Sequence, residues 1–202
     1  FVFATLSAAP EFALGEGWSD KITLKAGSSH VIEAPFYASP QPKITWKFNG
    51  SSLPDAKRFK TDSIVNMTSM TMAHVVRSDS GKYTLNIEND LGKINITVKV
   101  TVLDKPSAPR NLTVSDTNET EVSLKWTEPA DDGGSDITGY VIEKRDALRR
   151  SWQECDSTET CKVTATGLTE GTNYVFRVMA ENKIGLGEPV ELSQGIAPKS
   201  KC

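Results

Sequence analysis

The stretch Val102-Leu103-Asp104-Lys105-Pro106-Ser107-Ala108-Pro109 cuts the 202-residue chain into two nearly equal halves. Before it, Ile94 to Val102 alternates apolar and polar residues, as a half-buried strand does. After it, Arg110 to Val114 opens a second alternating run. Two prolines fix φ and remove backbone donors, and each pushes its preceding residue toward extended backbone. No glycine lies between Lys93 and Gly133, so the connection lacks flexible-linker composition. It reads as a short, extended and restricted joint between two domains. The alternative reading is an ordinary loop inside one domain.

The composition fits either reading. A chain of this length forms one large or two small domains, and 38% hydrophobic residues fill ordinary cores. A net charge of −3 lacks the basic footprint of a nucleic-acid binder. No window has the length of apolar sequence that spans a bilayer. Phe1 to Ala9 is apolar, but it has no initiator Met and no basic n-region. It reads as a stretch cut from a longer chain, and residues 1–15 are set aside as an N-terminal segment. Cys155, Cys161 and Cys202 are an odd set confined to the second half, which is not a secreted disulfide framework. With His30 and His74 the only histidines, no Cys/His cluster has zinc spacing.

In the first half, short alternating runs are punctuated by turns. Lys21–Lys25 ends at Ala26-Gly27. Ile32, Ala34 and Phe36 share a face, as do Ile44, Trp46 and Phe48 and then Tyr83, Leu85 and Ile87. Ser39-Pro40-Gln41-Pro42, Asn49-Gly50 and Asp90-Leu91-Gly92 are turns. Ile94, Ile96, Val98 and Val100 close the series. Such spacing predicts an all-β sandwich. Asp79-Ser80-Gly81-Lys82-Tyr83 resembles the D-x-G-x-Y corner of immunoglobulin domains, and Trp46 follows Ala34 by the spacing from their strand-B cysteine to their strand-C tryptophan. The resemblance implies that Ala34 and Leu85 stand where that fold usually carries its disulfide, buried and opposed beside Trp46. The half is similar to the intermediate-set immunoglobulin domains of muscle proteins, which often lack the bond. Its absence fits a reducing compartment.

In the second half, Leu112-Thr113-Val114, then Val122, Leu124 and Trp126, read as the first two strands. Tyr140 and Ile142 face inward on a third, and Tyr174, Phe176, Val178 and Ala180 alternate on a later one. Leu168-Thr169-Glu170-Gly171-Thr172-Asn173-Tyr174 resembles the tyrosine corner of fibronectin type III domains, and Asn182 to Pro189 resembles their F–G loop. That corner implies a Tyr174 hydroxyl bonded to backbone near Leu168. The phrases from Lys105 to Leu112, Glu128 to Ser135 and Ile137 to Lys144 are similar to repeats of the titin–twitchin–projectin family of giant sarcomeric proteins.

No set of residues converges as a catalytic acid, base or nucleophile should, so no enzyme, cofactor or metal is expected. Glu128, Asp131, Asp132 and Asp136 lack the alternating ligands and distal Glu of a calcium loop, and read as a solvated loop. His74 reads as a strand residue. Lys144, Arg145, Arg149, Arg150 and Trp152 flank a predicted hairpin. They read either as a solvated hairpin or as anchors for an acidic partner. Cys155 and Cys161 are expected to be reduced, on two separate strands.

The expectation is therefore all-β: an intermediate-set immunoglobulin-like domain over residues 16–103, a linker over 104–108 and a fibronectin type III domain over 109–199. The core residues are Ala34, Trp46, Tyr83, Leu85, Trp126, Tyr140, Leu168 and Tyr174. The resemblance implies a structural and scaffolding segment of a cytoplasmic, sarcomeric protein in the thick-filament (A-band) region. Its implied partners are myosin, myosin-binding protein and adjacent domains of the same chain, not nucleic acid or membrane. The sequons at Asn49, Asn66, Asn95, Asn111 and Asn118 support an alternative, an extracellular adhesion or receptor fragment. A second alternative is the regulatory flank of a muscle giant-protein kinase.

Overall fold

The computed structural model describes residues 6–200. Residues 1–5, part of the apolar N-terminal stretch, and Lys201 and Cys202 lie outside them. The chain divides into two compact units at Leu103/Asp104.

The first unit carries β1 (Ala8–Phe12), β2 (Lys21–Lys25), β3 (His30–Ser39), β4 (Lys43–Phe48), β5 (Phe59–Ile64), β6 (Met67–Met72), β7 (Gly81–Asn89) and β8 (Gly92–Leu103), with a single 3-10 turn at Arg77–Asp79. They form two four-stranded sheets, ordered β1-β3-β6-β5 and β2-β8-β7-β4. All pairings are antiparallel except β2 with β8, which run parallel. Strict alternation in β3 and β7 turns Ile32, Ala34, Phe36, Tyr83, Leu85 and Ile87 into one shared core. Two strands lie where the sequence shows no such alternation. β1 falls in the segment set aside before residue 16, yet pairs with β3 through Glu11–Tyr37 and Phe12–Phe36. β5 is the outer strand of its sheet and buries Phe59 alone, its other five residues being exposed.

The second unit carries β9 (Arg110–Thr117), β10 (Val122–Thr127), β11 (Gly139–Asp146), β12 (Gln153–Thr158), β13 (Lys162–Ala165), β14 (Tyr174–Asn182), β15 (Gly185–Leu186) and β16 (Val190–Glu191). One sheet is β13-β10-β9. The other is β12-β11-β14-β15, with β16 also on β14. Val122, Leu124, Ile142, Phe176, Val178 and Ala180 are fully buried between them.

Residues 104–107, read from sequence as linker, are hydrogen-bonded into the second unit. The Asp104 amide donates to the Gly133 carbonyl (2.9 Å), and the Ser107 amide donates to the Asp131 carbonyl (2.9 Å). Asn182, 3% exposed, holds this strap from beneath. Its Nδ2 donates to the Asp104 and Asp132 carbonyls at 2.8 Å each, while its Oδ1 accepts from the Ile184 and Gly185 amides. Gly133 has φ +79, and a Cβ there would collide with the Asp104 carbonyl, so a glycine is required where the strap crosses.

Candidate functional site

Ala34 and Leu85 are fully buried on opposite sheets of the first core, and Trp46 is 8% exposed beside Leu85 in the β4–β7 register. Burial leaves the indole N–H of Trp46 needing an acceptor, and it donates to Thr68 Oγ1 at 3.1 Å. Thr68 is itself fully buried.

The Asp79-Ser80-Gly81-Lys82-Tyr83 motif shows why each residue type sits where it does. Tyr83, fully buried, donates its hydroxyl to the Asp79 carbonyl at 2.7 Å. Burial, then the Asp79 charge, pushes the Tyr83 phenol far above its ordinary range. The Asp79 carboxylate, 1% exposed in residue terms, takes both arms of the Arg58 guanidinium (2.7 and 3.1 Å) and the Val76 amide (2.8 Å). The same pair raises Arg58 further above its ordinary value, with the Asp79 hydrogen bond as the largest cause. Ser80 Oγ accepts from the Val102 amide (2.9 Å), tying the corner to β8. A Cβ at Gly81 would stand 2.6 Å from the Phe48 ring, so the position has no room for a side chain.

The second corner is built differently. Leu168 is buried, but Tyr174 is only half-buried. Its hydroxyl is bonded to backbone next to Leu168, but as the acceptor: the Thr169 amide donates to it at 3.0 Å. Burial works to raise the Tyr174 phenol, but hydrogen bonds from Thr169 and Thr172 and the nearby Lys144 charge outweigh it, and the phenol is held below its ordinary value. Trp126 and Tyr140 are buried in the second core, their rings edge-to-face with centroids 5.3 Å apart. The Trp126 indole N–H has no hydrogen-bond partner among the described residues.

Cys155 lies on β12, and its thiol is pushed up to about 11, chiefly by burial. Cys161 was expected on a strand. It sits instead one residue before β13, in the bend where its carbonyl accepts from the Trp126 amide (3.0 Å). Its Sγ lies 3.5 Å from the Tyr140 hydroxyl. Both thiols are free.

The predicted basic hairpin is the β11–β12 connection. Arg145 and Arg177 both lie over the Trp152 ring, at 5.0 and 4.3 Å from its centroid. Arg177 is ion-paired with Glu143, and Arg145 donates to the Arg149 carbonyl. Lys144 Nζ lies 5.7 Å from the Tyr174 ring centroid. Arg150 is exposed on the turn. Arg177 was missed because it is 34 residues from Glu143 and on another strand.

The acidic loop spends two of its carboxylates on its own backbone: Asp131 Oδ1 accepts from the Gly133 amide and Asp132 Oδ1 from the Gly134 amide. Among the described residues no group of three or more His, Cys, Asp or Glu is placed to hold a metal, and no helix is long and apolar enough to cross a membrane. His74 was assigned to a strand. It lies in the turn after β6, with φ +48. Two sequon asparagines use their Nδ2 internally, Asn111 on Thr127 Oγ1 and Asn118 on Glu121 Oε2.

The Immunoglobulin I-set domain family matches residues 16–102, and the Fibronectin type III domain family matches residues 107–196. The chain is 35% identical over 170 residues to Titin of Drosophila melanogaster, covering 83% of this chain and 1% of that protein. It is 28% identical over 197 residues to Titin homolog of Caenorhabditis elegans, covering 97% of this chain and 1% of that one. Myosin-binding protein H of Gallus gallus is 33% identical over 177 residues, 83% of this chain and 32% of its own length. The chain thus spans a small part of each of these relatives. Among solved structures, domains A168-A170 from titin align at 33% identity with a TM-score of 0.54, covering 96% of this chain and 68% of that one. An I-set sandwich followed directly by a fibronectin type III sandwich, each with its own tyrosine corner, places the chain in the titin family of tandem immunoglobulin and fibronectin type III proteins.

Proposed function

We propose that this chain is a structural and scaffolding segment of a giant sarcomeric protein, a stable spacer and protein-docking module on the thick filament. The observation that carries this reading is that its buried polar residues are committed to holding folds. Thr68 braces Trp46, Asp79 is locked by Arg58 and Tyr83, and Asn182 by the strap. The likeness to titin domains of the same family supports it. In this reading the segment is not an enzyme. It lies in the cytoplasm, in the A-band, and binds myosin, myosin-binding protein and the neighbouring domains of its own chain. Residues 16–103 and 109–199 are the two functional modules, with 104–108 joining them.

The test is co-sedimentation of the purified chain with reconstituted myosin filaments, with and without myosin-binding protein C. Saturable binding to the filaments is expected. Recovery of the chain entirely in the supernatant at every filament concentration would remove the docking half of the proposal. Unfolding of either sandwich below physiological temperature would remove the spacer half.

A further inference from the structure

The cations of the basic hairpin fall into two sets, and one is already spent. Arg145 and Arg177 stack on Trp152, Arg177 is neutralised by Glu143, and Arg145 is held on the Arg149 carbonyl. These side chains form a locked platform. Lys144, Arg145 and Arg149 line a groove of about 270 Å³ with Asp146, Thr169, Thr172 and Tyr174; of the three cations, Arg145 is the one already held on Trp152 and the Arg149 carbonyl. Lys144 rests over the Tyr174 ring, a contact that leaves its three ammonium donors free to bond. The Tyr174 oxygen accepts from the Thr169 amide, which leaves its O–H as a donor. Asp146 Oδ1 is occupied by the Leu148 amide.

The geometry points to this groove as a docking site for an acidic segment of a protein partner, with one Asp or Glu carboxylate seated among Lys144, Arg149 and the Tyr174 hydroxyl. Two cations and a phenol are the donor set that a carboxylate accepts through charge-assisted hydrogen bonds. The Asp146 charge on the rim disfavours a dianionic phosphoryl group more than a monoanionic carboxylate. The stacked Trp152 platform alongside has already lost its rotamer freedom, so a peptide crossing it meets a preorganised surface. This assignment deepens the reading of the chain as a protein-docking module and rests on it. Its test uses no filament, so either can fail without the other.

The experiment titrates the ¹⁵N-labelled 202-residue chain with three peptides of equal length: hexaglutamate, hexaglutamine and hexaphosphoserine. Hexaglutamate is expected to shift amides within residues 144–153 and 169–174, with binding that weakens as salt rises. Hexaglutamine should shift none of them. Lys144→Gln combined with Arg149→Gln should weaken hexaglutamate binding about ten-fold with the melting temperature of the second unit retained. If that variant unfolds, the wild-type shift map and its salt dependence decide alone. Shifts spread over lysines elsewhere on the chain would overturn the assignment. So would undiminished binding in a folded double variant, or tighter binding of hexaphosphoserine than of hexaglutamate.

Discussion

The two tyrosine corners do the same topological work with opposite hydrogen-bond chemistry. Tyr83 is sealed, donates to a carbonyl four residues back, and rests on a buried carboxylate clamped by Arg58. Tyr174 is half in water, accepts from an amide five residues back, and has a lysine over its ring. The core tryptophans, both buried, differ in another way: Trp46 donates to Thr68, whereas the Trp126 indole N–H finds no acceptor among the described residues. Polar groups sealed from water are costly when left unpaired and cost little where water can replace the partner. The first sandwich therefore seals polar stabilisation at its tyrosine corner, and the second seals it at Asn182 instead.

The largest way to break this contrast is Arg58→Ala. It strands the Asp79 carboxylate in the first core, and the first unit should lose about 3 kcal/mol, the lower end for breaking a buried pair, because the Arg58 side chain is 26% exposed. Denaturant unfolding should show the loss in the transition of the first unit only. An unchanged midpoint would mean that the pair is not clamping the corner.

Tyr83→Phe comes next, at about 1.5 kcal/mol, because the buried Asp79 carbonyl loses its donor. Tyr174→Phe should cost about 0.5 kcal/mol, since water reaches the exposed Thr169 amide that the phenol now occupies. The ranking is the point of the pair. Equal losses from the two substitutions, measured side by side, would erase the distinction between a sealed and a wet corner.

A pH effect concerns the second core alone. Burial raises the Cys155 thiol from an ordinary 9.0 to about 11, so the folded unit favours the neutral form. That contribution is intact below pH 9 and is lost as pH climbs toward 11, because the unfolded chain ionises first. Alkylation of Cys155 by iodoacetamide should lag behind a model thiol at pH 9 and catch up near pH 11. Parity at the lower of these two pH values would place the thiol in water.

The sandwiches were legible because β3, β4, β7 and β14 bury one face, and a period of two writes that face into the residue types. Ile32, Ala34 and Phe36 need no partner knowledge to be placed in a core. β1 and β5 were not legible because residue type does not alternate along either: Ala8-Ala9-Pro10-Glu11-Phe12 runs its apolar residues together, and Phe59 is the one buried residue of β5. The Asp79-to-Tyr83 motif announced a corner, but Arg58, 21 residues upstream, carries no local mark of its role. The direction of the Tyr174 hydrogen bond was equally hidden, since tyrosine can donate or accept and the exposure of the site decides which. At the hairpin, sequence grouped five residues by charge and proximity. The fold regroups them through Arg177 and Glu143, which arrive from other positions along β14 and β11.

The strap at Asp104–Ser107 has a consequence for tension. A pull on the chain ahead of the second sandwich does not reach β9 first. It meets the Asp104 amide on Gly133, the Asp104 carbonyl on Asn182, and the Ser107 amide on Asp131, and those bonds hand the load to the β10–β11 loop and the end of β14. Asn182, bonded on both sides of its amide, is the rivet through which that load passes, and the strands of the smaller sheet are stressed only after it has given way.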